Sequence, residues 1–386
     1  MEENFKMTAK TLFGFEPVLA NELRRLGAMS VKEGVRSVTF IGDKGFMYKA
    51  NLALRTAIRI LKPIKKFRIY DEHDLYKKIQ QIHWEDYFHT KNTFAIEAAV
   101  HSEKFTHSHY ISLKTKDAIV DYFRDKYQER PSIDLRHPDM VLNIHIKDDQ
   151  CTVSLDSSGA SLHKRGYRTA TNIAPINEVF AAGLIMMSGY NGSQNFLDPM
   201  CGSGTMLIEA AMIANNIPAN INRPEFGFEK WADYDEELFN VIHDSLLKKI
   251  TSSDKKIMGF DKAPSAVRKA KDNIKNAGLE EFITVEKQDF FDSENPLDDN
   301  TIVCFNPPYG ERLEINVPVF YKEIGNTLKK GYTGTNVWFI TSDFSNGLKS
   351  VGLRTSRKIK VYNGKLECRF VKYEMYRGTR KIHKIK

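Results

Sequence analysis

Apolar positions recur with two periods along this chain, and their succession predicts strands and helices in alternation. Residues 4–11 alternate as a strand, and residues 16–26 place Val18, Leu19, Leu23 and Leu26 on one helical face that Gly27 ends. Strands at 31–33 and 37–41 follow around Gly34, then a helix at 44–54 and a strand at 56–60. A second group has a helix at 75–82, a strand at 93–100, a helix at 109–127 and a hairpin at 141–155 that turns at Asp148-Asp149. A polar stretch at 158–174 precedes a helix at 177–187, whose interior Gly183 weakens it. From there the periods alternate: strand and helix within 195–211, strands at 256–261, 283–288, 301–305 and 336–341, and helices at 266–277 and 320–328. Residues 216–247 form an insertion with an ordered loop at 226–231. The chain ends in a hairpin, 359–362 and 366–375, turned by Asn363-Gly364.

The first group, strand, helix, two strands, helix, strand, has the ferredoxin-like order. A chain of 386 residues accommodates two or three domains, and 41% hydrophobic residues suffice for ordinary cores. The formal net charge of +8 suggests a polyanionic partner, and its distribution sharpens this. Residues 44–70 carry eight Lys or Arg and no acid; residues 351–386 carry twelve against Glu367 and Glu374. Cys151, Cys201, Cys304 and Cys368 lie far apart, so neither a zinc site nor a disulfide framework is expected, and a cytoplasmic location fits. No metal and no membrane association is expected, since no apolar run approaches signal-peptide or spanning length.

Chemistry concentrates in two stretches. Phe196 and Leu197 close an apolar run at Asp198, then Gly202-Ser203-Gly204 turns the chain into a helix carrying Leu207, Ile208, Ala211 and Met212. Such a turn sets backbone N–H groups and a positive helix end over a pocket. About a hundred residues on, Asn306-Pro307-Pro308-Tyr309 follows the strand 301–305, where ligand sites of open α/β sheets collect. With Asp198, Asp261 and Asp289, three carboxylates fall at successive strand ends. That geometry could also hold a nicotinamide dinucleotide, but the turn lacks GxGxxG spacing and a dehydrogenase gives no reason for Asn-Pro-Pro-Tyr. Strand-end aspartates can also simply cap the following helices, a reading open for Asp289.

The pair formed by residues 198–205 and 306–309 resembles class I S-adenosylmethionine-dependent methyltransferases that modify exocyclic amines of nucleobases. The resemblance implies catalytic roles for Asn306, Pro307, Pro308 and Tyr309. It places Asp198, Pro199 and the turn from Cys201 through Gly202, Ser203 and Gly204 to Thr205 near the methionine portion, bordered by residues 175–178. It gives Asp261 to the ribose and Asp289 to adenine, with Phe290 or Phe260 against the ring; Lys262 and Asn306 border the cofactor too. An exocyclic amine is a poor nucleophile because its lone pair is delocalised into the ring. The Asn306 side-chain oxygen and the Pro307 carbonyl can accept its two hydrogens and turn the lone pair toward the methyl group, while Tyr309 can stack on the base. Cys201 and Cys304 are read as small buried residues, not as thiolate nucleophiles.

Residues 84–88 and 100–111 resemble a THUMP domain, an RNA-binding module of tRNA- and rRNA-modifying enzymes. Nearly the whole chain is similar to RlmL-type enzymes, which methylate guanine N2 in 23S rRNA and whose relatives are often labelled N6-adenine-specific. The resemblance implies a ferredoxin-like domain at 1–63, a THUMP domain at 64–157, a linker at 158–175 and a class I, Rossmann-like methyltransferase domain at 176–386. Lys44, Lys49, Arg55 and Arg59, with Lys164, Arg165 and Arg168 of the linker, are the candidate RNA contacts; a solvated basic face is the plain alternative. rRNA is the expected partner and tRNA the runner-up. Alternatives are a tRNA guanine-N2 or N6-adenine enzyme, or an inactive methyltransferase fold serving as a ribosome-assembly factor. The motif does not choose the base, and oligomeric state is not legible.

Overall fold

The computed structural model describes residues 3–168, 176–298, 300–308 and 316–377. They fold as two compact units, and neither is one continuous stretch of chain.

The first unit comprises Met1–Thr11, Leu19–Leu162 and Arg223–Ser245. Its N-terminal elements are β1 (Phe5–Lys10), α1 (Glu16–Leu26), β2 (Met29–Gly34), β3 (Ser37–Gly42), α2 (Lys44–Ala53) and β4 (Arg59–Arg68). They give the ferredoxin-like sheet β2-β3-β1-β4. The THUMP part adds α3 (Glu72–Gln80), β5 (Thr93–His101), α4 (Ser108–Tyr127), β6 (Ser132–Ile133), β7 (Met140–Lys147) and β8 (Gln150–Asp156). All eight strands form one sheet in the order β2-β3-β1-β4-β8-β7-β5-β6. β4 joins the halves: Lys10 pairs with Arg59 on one side, and the run from Leu61 to Arg68 pairs with Asp156 to Gln150 on the other. The strand expected to stop at residue 60 therefore continues past residue 63. A register shift between Pro63 and Lys65 accommodates the proline, which cannot donate to a ladder.

The third segment of this unit comes from the expected insertion. The Phe228 ring lies 4.4 Å from that of Tyr48 and 5.6 Å from that of Phe239, a residue of α7 (Glu236–Leu247). Gly227 is required here, because a Cβ would stand 2.7 Å from the Gly159 backbone nitrogen.

The second unit comprises Leu12–Val18, His163–Asn222 and Leu246–Lys386. Its elements are α5 (Glu178–Met187), β9 (Asn195–Asp198), α6 (Thr205–Ala214), β10 (Ile257–Asp261), α8 (Pro264–Asn276), β11 (Ile283–Lys287), β12 (Thr301–Phe305), α9 (Val317–Gly331), β13 (Asn336–Thr341), α10 (Gly347–Ser350), β14 (Arg357–Asn363) and β15 (Leu366–Glu374). The sheet order is β11-β10-β9-β12-β13-β15-β14; the first five strands are parallel, and the hairpin is antiparallel at one edge. Both faces are covered. Phe196 belongs to one apolar cluster and Leu197 to the other, as alternation along a central strand requires. Phe15 stacks on Phe180 of α5 at 5.6 Å, and a Cβ on Gly183 would come within 2.0 Å of the Phe15 ring. The helix-weakening glycine thus makes room for an aromatic ring. Among the described residues no helix is long and apolar enough to cross a membrane.

Candidate active site

Strand order reverses between β9 and β12, which pair in parallel with Leu197 opposite Val303. The C-terminal ends of these strands flank the crevice where ligands of open α/β sheets bind. Asp198 ends β9 and Asn306 follows β12, so the two sequence motifs arrive side by side from positions far apart in the chain.

The turn after β9 is fixed by its own backbone. Gly202 and Gly204 adopt positive φ, 55° and 81°, and a Cβ on Gly204 would sit 3.2 Å from the Ala270 Cβ of α8. Cys201 N–H donates to the Phe260 carbonyl at 2.8 Å, and Asn273 Nδ2 donates to the Ser203 carbonyl at 3.0 Å. The Asp261 carboxylate accepts from Gly202 N–H at 3.0 Å and from Ala263 N–H at 2.9 Å, bridging the ends of β9 and β10. Each oxygen keeps acceptor capacity for a further donor.

Asp198 is almost fully enclosed, with Met200 N–H donating to its Oδ1 at 3.1 Å. Burial, reinforced by the Asp261 charge, raises its carboxyl to about 8. Burial also pushes the Cys201 and Cys304 thiols well above their ordinary range, as suits packed side chains and not thiolates. Asp289 caps a short 3-10 turn by accepting from Phe291 N–H at 3.1 Å. Phe290 and Phe260, the candidate ring platforms, are both buried. Both belong to an apolar cluster that includes Phe305 and Tyr332, Phe260 as the penultimate residue of β10 and Phe290 as the residue after Asp289. Pro199 is buried, Thr205 begins α6, and Lys262 is exposed on the turn after β10.

Asn306 supplies the second half of the site. Its Oδ1 is enclosed and accepts no hydrogen bond from the described residues. A buried amide oxygen without a donor forfeits about 1–3 kcal/mol, a cost that a donor on a bound ligand would relieve. Pro307 is buried and Pro308 half-buried behind it. Tyr309 and Pro175 lie outside the described residues.

The expected RNA contacts are mostly committed elsewhere. Lys44 Nζ donates to the Asp233 carbonyl at 2.8 Å, and Lys49 Nζ to the Leu26 carbonyl at 2.6 Å. Arg59 pairs with Glu97 at 2.6 Å and with buried Asp156. Arg55 is half-buried, its backbone N–H bound to Glu22 at 2.8 Å. Arg165 is interior, 3.3 Å from Glu209 and 3.0 Å from Asn220 Oδ1, since a buried carboxylate at position 209 needs a cation. Arg168 is held by Glu178 at 2.6 Å, and Lys164 is exposed. Lys65, Lys66 and Arg68 near the end of β4 are also exposed, next to exposed Tyr70, with Arg68 Nε 3.6 Å from Asp149. Sequence reasoning counted these only within a run; their outward facing depends on the continuation of β4 that it missed.

Comparisons with known proteins agree with this architecture. Residues 165–372 match the family described as RMKL-like, methyltransferase domain; residues 70–156 match the THUMP domain, and residues 6–61 the RlmL ferredoxin-like domain. A Synechocystis protein named "Putative RNA methyltransferase slr0064" is 38% identical over 370 residues, 94% of this chain and 95% of its own. The ribosomal RNA large subunit methyltransferase K/L of Syntrophotalea carbinolica is 35% identical over 97% of this chain, which spans 54% of that longer protein. The crystal structure of SMU.472, titled "a putative methyltransferase complexed with SAH", is 31% identical, covers 98% of this chain and all of its own, and superposes with a TM-score of 0.85. A THUMP domain, a ferredoxin-like domain and a methyltransferase domain thus occur together in one chain, which belongs to the RMKL-like methyltransferase family.

Proposed function

We propose that this protein transfers a methyl group from S-adenosylmethionine to an exocyclic base amine of RNA, with guanine N2 of 23S rRNA as the target. The observation that carries the reading is the donorless Asn306 Oδ1, enclosed at the end of the strand next to the Asp198 turn. An amino group is what such an acceptor lacks. The cofactor would supply a methyl group on a sulfonium: the S–CH3 bond breaks as the N–CH3 bond forms, a neutral thioether leaves, and the nitrogen gives up its proton to solvent after transfer and not before it.

The residues fit that cofactor through their donors and acceptors. Asp261 retains lone pairs for the ribose hydroxyls, Asp289 for the adenine amine, and the Asp198 turn borders the methionine portion. Asn306 Oδ1 and the Pro307 carbonyl accept the amine hydrogens and orient the nitrogen lone pair. Pro307 fixes its own φ and brings no N–H into the pocket. RNA is positioned by phosphate contacts, for which Lys65, Lys66 and Arg68 are better placed than Lys44 or Arg59. The name of the relative from Syntrophotalea carbinolica supports the rRNA assignment, and a cytoplasmic location would suit such a target.

The test is purified protein, methyl-labelled S-adenosylmethionine and RNA extracted from cells lacking the gene, with labelled nucleosides identified by mass spectrometry. The reading expects N2-methylguanosine in large-subunit rRNA. Label in tRNA or in N6-methyladenosine would move the target and keep the amine chemistry; label on a base carbon, or none, would overturn the reading.

A further inference from the structure

We propose that Arg168 binds the carboxylate of the cofactor's methionine moiety. A guanidinium carries five N–H donors in a fixed plane. Arg168 Nε donates to Glu178 Oε1 at 2.6 Å, and Nη2 donates to the Ile176 carbonyl at 3.1 Å and to Thr205 Oγ1 at 2.9 Å. Nη1 is enclosed and has no acceptor among the described residues. Its two N–H groups are the unspent part of an otherwise committed side chain.

Its location selects the ligand. Thr205 opens α6 directly after Gly204, and Ile176 with Asn177 leads into α5, so the guanidinium touches the starts of two helices. Both helix starts favour an anion, and a carboxylate matches paired guanidinium donors. Glu178 already balances the Arg168 charge, so a second lone anion would be poorly compensated. The amino-acid end of the cofactor brings its own compensation: its carboxylate meets Nη1, and its own ammonium keeps the added group neutral. An RNA phosphate is a weaker match, because backbone contacts are made at solvent-facing cations and this guanidinium is largely enclosed. The inference rests on the cofactor alone and not on the identity of the target base.

The test is a binding cycle on the full chain by titration calorimetry, with S-adenosylmethionine and decarboxylated S-adenosylmethionine as the two ligands. In the wild type, loss of the carboxylate is expected to weaken binding about 10- to 100-fold. Arg168→Gln should weaken S-adenosylmethionine binding by a similar factor and bring the two ligands to within about threefold of each other, since the interaction can be removed only once. Should Arg168→Gln fail to fold, Arg168→Lys, which keeps the charge facing Glu178, is expected to narrow the same gap. Equal losses for both ligands would show a purely structural role and overturn the proposal. So would unchanged affinity for both, or a loss confined to RNA binding.

Discussion

Asn306, with its donorless Oδ1, and Asp198, with its buried carboxyl, each yield an expectation. Asn306→Ala should lower turnover ~100-fold or more while leaving the cofactor dissociation constant nearly unchanged, because an acceptor for the reacting amine acts chiefly in the transition state. Single-turnover kinetics alongside calorimetry checks this; parallel loss of both would make Asn306 a cofactor ligand instead. Asp198 bears on pH. Its carboxyl stands at about 8 in the folded protein without ligand, against roughly 4 in an unfolded chain. Between those values the folded state holds the extra proton, so this group's contribution is complete below about pH 4 and is lost as pH rises through about 8. Asp198→Asn, which cannot ionise, should therefore gain stability relative to wild type between pH 5 and 8.5, as urea unfolding would show. A pH-independent difference would contradict the environment described. At this scale the sequence was informative about identity and less so about partners. Asp198, Asp261 and Asn306 stood out by their motifs, but nothing local could reveal that Glu209 draws Arg165 inside or that Phe260 and Phe290 are packed against the sheet.

Elements were legible where periodicity and turn chemistry agreed. β9, β12 and β13 match their expected spans because each is a short apolar run with turn residues beyond it. β4 was truncated because Lys62, Pro63, Lys65 and Lys66 interrupt its alternation, and its partner β8 lies some ninety residues away. α5 was legible in spite of Gly183, whose reason is a contact and not a propensity. The contact supports a prediction with opposed terms. Gly183→Ala would gain about 1 kcal/mol in helix propensity, but overpacking against Phe15 typically costs 1–3 kcal/mol, roughly, and a 2.0 Å approach belongs at the upper end. The variant should be less stable than wild type in chemical denaturation. A more stable variant would mean that Phe15 moves aside freely.

Across the whole molecule, chain order and spatial grouping part company twice. Residues Leu12–Val18 belong with the methyltransferase unit, and Arg223–Ser245 belong with the N-terminal unit. Hydrophobic pattern predicts that such residues are buried without saying against what, so linear boundaries could not show the exchange. A fragment beginning at residue 158 would lack Phe15 from its core and carry Phe228 and Phe239 without their Tyr48 partner. It should melt below the intact chain or aggregate, and Phe15→Ala in the full chain should cost about 3–5 kcal/mol. An isolated fragment as stable as the whole would refute this grouping. The central claim, amine methylation of RNA through Asn306, is tested most directly by nucleoside mass spectrometry of large-subunit rRNA from cells lacking the gene and complemented with wild type or Asn306→Ala. The account predicts that N2-methylguanosine is depleted without the gene, restored by wild type and not by Asn306→Ala. Full restoration by the Asn306→Ala protein, or an rRNA methylation pattern indifferent to the gene, would contradict it.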